Sequence, residues 1–198
     1  CHTIDDVDKL DSLLPYVSGF EYVSLHMPCY YRYKNDRKTL ELLHKISIFY
    51  HKIGARLAVL HPVLIEDMSI FENFTSINWA IENMDGRGPD YNGIDDLTSF
   101  FAAYPNWGFV LDVGHCKVND KTMALADDLI VSLKSKIREI HLSGYEFFHD
   151  PLYRTKQTEI IDRCKDLAVP IIIESTFEKA DGLFGVTQEF LYIMNNLK

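Results

Sequence analysis

Six short apolar runs recur along the chain, at residues 22–27, 57–61, 79–83, 109–112, 137–142 and 170–174. Each is about five residues long and nearly continuous in apolar character, as parallel strands buried on both faces are. Amphipathic stretches separate them. Leu40, Leu43, Ile46, Phe49, Tyr50 and Ile53 form one helical stripe, with Gly54 just past its end at a position that tolerates positive φ. Thr3 followed by Asp6 reads as an N-cap, opening a helix with Ile4, Val7, Leu10, Leu14 and Val17 inward. Shorter helices are expected around 70–77, 97–104, 125–133 and 160–167, and a last one around 190–197. Strand–helix alternation with one continuous run per strand specifies an α/β fold with a parallel sheet. No glycine-rich phosphate loop follows any run, so the Rossmann and P-loop fingerprints are missing. A (β/α) barrel of the TIM type is the remaining expectation.

Length and composition narrow the class. The chain has 198 residues, 47% hydrophobic and 25% charged, which excludes a disordered chain. No linker or low-complexity segment interrupts it, so residues 1–198 read as a single domain. No apolar stretch approaches the roughly 18–20 residues of a membrane helix. The net charge of −9 argues against broad nucleic-acid binding, though not against a local basic patch. Arg32, Arg87, Lys117 and Arg154 are candidate phosphate contacts, with solvation as their ordinary reading. Four cysteines without a C-x-x-C pair indicate neither a disulfide scaffold nor a zinc ribbon. With no signal peptide in view, a cytoplasmic protein with reduced thiols is expected.

The informative residues stand at the C-terminal ends of the runs. They are His26, His61, Glu82, Asp112 with His115 three on, His141 and Glu174. Successive gaps of 35, 21, 30, 29 and 33 residues suit one βα unit each. In a parallel barrel all strand C-termini open on one face. Carboxylates gathered there raise each other's pKa unless a cation neutralises them. Imidazoles mixed with carboxylates are the ligand set of Zn²⁺, with Mn²⁺ or Mg²⁺ favouring the carboxylates. A single His or Glu at a strand end is ordinarily structural. Six in succession are hard to explain that way, because buried carboxylates without a cation are costly. His44 and His51 share a helix face and read as solvated. Cys29 and Cys116 flank site histidines, and a small buried thiol is their commoner role.

At these residues the chain resembles the xylose isomerase-like TIM-barrel superfamily (AP endonuclease family 2), and most closely its endonuclease IV-like metal motif. The pieces are Leu-His26-Met-Pro, Leu-His61-Pro, Ile-Glu82-Asn-Met, Leu-Asp112-Val-Gly-His115, Ile-His141-Leu-Ser and Ile-Ile-Glu174-Ser. The resemblance implies one metal on His26, His61 and Glu82, and a second on Glu82, Asp112, His141 and Glu174. A third would use His115 with an Asp-x-His from the loop after the fifth strand. There His149 matches the His, Phe147 stands where the Asp belongs, and Asp150 is the available substitute. Counted by that pattern, His26 sits on the third strand, so two upstream strands and a helix are missing or altered. A chain beginning at Cys1 is consistent with a longer parent.

The resemblance implies three functions. The first is a divalent-metal hydrolase of phosphate esters, acting on abasic DNA. The second is a sugar isomerase or epimerase, acting on a sugar or sugar phosphate, with one metal and Glu82 and Glu174 as the acid–base pair. The third is a degenerate barrel that binds without catalysis. No membrane partner is expected, and oligomeric state is not legible.

Overall fold

The computed structural model describes residues 9–198. Cys1, His2 and the start of the helix expected from Thr3 lie outside them. The described chain opens with a 3₁₀ turn, Leu10–Leu13, and a single α-turn, α1 (Leu14–Val17). Of the expected stripe, Leu10 is buried and Leu14 and Val17 are half-buried. The chain divides into two compact units, Cys1–Glu82 and Asn83–Lys198.

The first unit carries three parallel strands in chain order: β1 (Ser24–His26), β2 (Leu57–Leu60) and β3 (Trp79–Glu82). Leu25 lies opposite Ala58, and Val59 opposite Ala80. Every residue of β2 and β3 is buried, as their unbroken apolar runs require. The crossover from β1 to β2 is α2 (Arg37–Lys52). The Asp36 carboxylate caps it by accepting from the Thr39 amide at 2.8 Å. Leu42, Leu43, Ile46, Phe49 and Tyr50 are buried, and Gly54 leaves the helix with φ +64°. Between β2 and β3 the expected short helix is instead a pair of 3₁₀ turns, Pro62–Leu64 and Met68–Asn73. Asp67 folds its carboxylate back onto the Ser69 amide, which favours the tighter turn. The apolar residues of this stretch, Ile70, Phe71, Phe74 and Ile77, are buried all the same.

The second unit also has three parallel strands in chain order: β4 (Gly108–Asp112), β5 (Ile137–Leu142) and β6 (Ile171–Ile173). Asp112 lies opposite His141, and Leu142 opposite Ile173, so the ends of these strands are level. The helices are α3 (Ile94–Ala103), α4 (Val113–Asn119), α5 (Ala124–Leu133), α6 (Leu152–Thr155), α7 (Thr158–Asp162) and α8 (Gly182–Asn196). The short helices α4 and α6 carry no apolar stripe long enough to be read from sequence. On α8 the apolar residues do not all point inward. Ile193 is buried, but Phe190 and Met194 are exposed, and the inward face is completed by Gly185 and Glu189. No helix among the described residues is long and apolar enough to cross a membrane.

Glu189 is a charged residue that the helical pattern hides. It is fully buried, and its two carboxylate oxygens accept from the Leu152 and Tyr153 amides at 2.8 Å each. The Ser175 hydroxyl donates to it as well, tying α8 to the residue after Glu174. Hydrogen bonds to an ionised group are the strong ones. Glu189→Ala is expected to cost about 3 kcal/mol, since it strips three donors of a charged acceptor. Denaturant midpoints of the variant against wild type measure this, with the exposed Leu183→Ala near neutral as control.

Candidate metal centre

In the first unit, His26 ends β1, His61 follows β2 and Glu82 ends β3. Strand geometry alone therefore brings them together. The Glu82 carboxylate is buried, and its Oε2 lies 3.3 Å from His26 Nε2 and 3.7 Å from His61 Nε2. The two imidazole rings meet edge to face, 4.9 Å between centroids. His26 donates its Nδ1–H to the Met27 carbonyl at 2.9 Å, which turns Nε2 toward Glu82. Cys29 approaches the other edge of the same ring, with Sγ 3.6 Å from Nδ1. One ring thus faces Glu82 through Nε2 and Cys29 through Nδ1. The thiol is a further donor beside the two histidines, as one ligand atom from each of His26, Cys29 and His61 falls within 4.8 Å of the others.

In the second unit, Asp112, His141 and Glu174 likewise stand at the ends of β4, β5 and β6. They each bring a ligand atom within 4.8 Å of the others. His141 Nδ1 is 3.1 Å from Glu174 Oε1, and its Nε2–H donates to Glu139 at 2.8 Å. Asp112 caps α4, its Oδ1 accepting from the His115 amide at 2.8 Å. Gly114 lets this turn pack closely, since a Cβ there would stand 3.0 Å from the Ser143 carbonyl oxygen and 3.2 Å from Asp112 Oδ1. A third set is Asp112, His115 and His149, again within 4.8 Å. His115 donates Nδ1–H to the Asn83 carbonyl at 2.9 Å, and His149 Nδ1 meets Ser143 Oγ at 2.9 Å. His149 sits at φ +48°, a strained conformation for a residue with a Cβ and one that clusters at functional sites.

The donor sets fit a divalent cation on two observations. Imidazoles and carboxylates converge, and His26, His115, His141 and His149 each have one ring nitrogen anchored to a protein oxygen. Anchoring one nitrogen aims the other, and a carbonyl or carboxylate anchor also fixes the tautomer, the usual support of a metal-ligating histidine.

Several site residues follow no pattern legible in the sequence. Asn83 clamps the Asp112 peptide from both sides, donating to its carbonyl at 2.9 Å and accepting from its amide at 2.8 Å. Glu139 is buried beside His141, two residues before it on the same strand face; strict alternation along β5 is the one signal for it. Asp150 does not take the vacant acidic role in the third set. Its Oδ2 accepts from the Glu146, Phe147 and Phe148 amides at 2.9, 2.7 and 3.1 Å. Burial pushes its carboxyl up, but those amides outweigh it and hold the pKa below the usual range. Phe147 is left 85% exposed.

The candidate phosphate contacts are all paired. Arg32 lies 3.6 Å from Glu66, Lys117 lies 2.6 Å from Glu159, and Arg154 pairs with Asp181. Arg87 pairs with Asp85 and stacks over Phe148. His44 and His51 are exposed, as expected. Cys29, Cys116 and Cys164 are free thiols. Burial pushes the Cys116 thiol well up, so it is a poor ligand.

Known structures share this architecture. The chain matches a D-tagatose 3-epimerase-like protein with TM-score 0.65 and 17% identity, over 95% of this chain and 84% of that one. It matches endonuclease IV from Thermus thermophilus with TM-score 0.66 and 14% identity, over 98% and 84%. A D-psicose 3-epimerase crystallised with D-fructose gives 0.58 and 13%, over 99% and 84%. The fold is of the TIM-barrel type, as in these structures. No family model matches the chain, and no curated protein does. The neighbours include epimerases, an endonuclease and a probable dehydratase, so the fold alone does not choose an activity.

The electrostatics of His26 have a measurable consequence. Burial of the ring works to lower its pKa, but the hydrogen bonds to Cys29 and Glu82 and the Glu82 charge outweigh it and raise it to about 10. In the metal-free protein the protonated ring stabilises the fold fully below its unfolded pKa of about 6.5. That contribution is lost as pH rises toward about 10. A cation at Nε2 must displace this proton, so apparent zinc affinity of the first set is expected to rise about tenfold per pH unit between about pH 7 and 9. Competition titrations against a chelator measure the slope, and His26→Ala should flatten it.

Proposed function

We propose that the chain is a divalent-metal-dependent hydrolase of phosphate esters with an endonuclease IV-like centre. The observation that carries the reading is the convergence of His26 Nε2 and His61 Nε2 on one Glu82 oxygen, at 3.3 and 3.7 Å. A single-metal isomerase built on the carboxylate set has no use for these two imidazoles. In this reading His26, His61 and Glu82 hold one cation, and Asp112, His141 and Glu174 hold another. Asp112, His115 and His149 are the donors of a third. Zinc suits the imidazole-rich first set, and Mn²⁺ or Mg²⁺ the carboxylate-rich second.

When bound, the cations supply Lewis acidity and charge for a phosphate group. The chain's own residues do the rest. Glu174, partly exposed just past β6, would take a proton from an attacking water. His141 stands between Glu139 and Glu174, with Nε2 on the first and Nδ1 on the second. Tyr145 donates its hydroxyl to Asp85 at 3.0 Å. Burial first, then the Asp85 charge and hydrogen bond, push its pKa to about 12, so it stays a neutral donor at the mouth of the third set.

A specific observation favours a second reading, a sugar epimerase. The loop after β5 replaces the acidic residue of a third metal site with exposed Phe147, and Phe148 is backed by Arg87 at 5.0 Å. Exposed aromatic faces suit the C–H face of a sugar ring more than a phosphate. The epimerases among the structural neighbours lend it weight.

The test is incision of an abasic-site duplex by the zinc- and manganese-loaded chain. Cleavage is expected, with Glu174→Gln slower by about 10²–10⁴-fold as for loss of a general base. His26→Ala should be impaired as well. Metal-loaded protein that leaves the duplex intact but exchanges solvent deuterium into a keto-sugar would replace this reading with the second, and His26→Ala would then be harmless.

A further inference from the structure

Glu139 has no assigned role, and its energetics are unusual. It lies on β5 two residues before His141, so both side chains leave the strand on one face. Its side chain is fully buried. Oε1 accepts from His141 Nε2 at 2.8 Å, while Oε2 has no hydrogen-bond partner among the described residues. A buried carboxylate satisfied on one oxygen is expensive. An apolar residue of similar volume would hold β5 in the core at less cost. Fold stability therefore does not account for an acid at this position.

The partner ring gives the reason. A neutral imidazole carries one N–H, and a carboxylate acceptor selects the nitrogen that bears it. Carboxylates face both nitrogens, and in the singly protonated ring the nearer, hydrogen-bonded one, Glu139 at 2.8 Å, holds the proton on Nε2 and leaves the lone pair on Nδ1. Nδ1 is the nitrogen that faces Glu174, 3.1 Å from its Oε1. We propose that Glu139 is a positioning residue that locks His141 in its Nε2–H tautomer and presents Nδ1 as the donor to a divalent cation shared with Asp112 and Glu174. The proposal rests on the reading of those three residues as a ligand set. It adds which atom of His141 ligates and which residue makes it do so. A carboxylate on the far nitrogen also raises the basicity of the ligating one, and losing such a partner weakens metal binding by about 10–100-fold.

The experiment has two arms on the full chain. In the first, ¹⁵N NMR of labelled histidine reads the His141 tautomer in metal-free protein, at alkaline pH where the ring carries one proton. Wild type and Glu139→Gln, which keeps a carbonyl acceptor, should hold the proton on Nε2. Glu139→Leu should show a mixture of tautomers. In the second arm, zinc titration should give an affinity for the second set about 10–100-fold weaker in Glu139→Leu, with Glu139→Gln much closer to wild type. A wild-type ring protonated on Nδ1 overturns the proposal, and so does unchanged zinc affinity in folded Glu139→Leu. If Glu139→Leu does not fold, the wild-type tautomer alone decides. If wild type shows the Nε2–H tautomer yet binds no zinc, the metal-centre reading fails, and the donor role assigned to Nδ1 falls with it.

Discussion

Carboxylates held out of water beside imidazoles are the constraint on which the rest of this molecule depends. Glu82, Asp112 and Glu139 are essentially buried, and each lies against a histidine ring. Such groups are tolerable only if charges have counter-charges and oxygens have donors. At Glu82, without a cation, a proton on His26 meets that balance. With a cation it is met by the metal, and the proton is released. The same residues therefore trade one positive charge for another, which makes occupancy and pH two faces of one equilibrium.

The fold supplies the geometry for that exchange at little cost. Each unit uses three parallel strands whose C-terminal ends carry the candidate ligands, while the bodies of β2, β3 and β4 are wholly apolar. Side chains on rigid strand ends need few loop contacts to be aimed. Where loops do contribute, they are pinned: Asp150 gathers three amides to shape the turn before it, and Asn83 grips the Asp112 peptide. Glu189 performs the same service beside β6, binding two amides and the hydroxyl of Ser175. In the second unit, then, polar residues that touch ligands or their neighbours hold the set in place.

Much of this was legible in the sequence, for a physical reason. Buried parallel strands write themselves as continuous apolar runs, and a polar residue at the end of a run has few structural excuses. All six strands and the candidate ligands at their ends could be read that way. The supporting residues could not. Glu189 interrupts an apolar helical face, and Phe190 and Met194, apolar and near it, are exposed instead. Asn83 resembles any strand-end amide until its two bonds to Asp112 are seen. The 3₁₀ turns after β2 satisfy the same burial pattern as a helix, so periodicity alone does not separate them. Asp150 illustrates the converse, a carboxylate in the right stretch of sequence whose oxygen is already committed to amides.

The first-unit and second-unit sets should each bind a cation, and zinc stoichiometry tests this most directly. Elemental analysis of the zinc-reconstituted full chain, beside His61→Ala and His141→Ala, should find about two or more equivalents in wild type and about one fewer in each variant. Wild type that retains no zinc after removal of excess metal, or variants that retain the full wild-type complement, would contradict it.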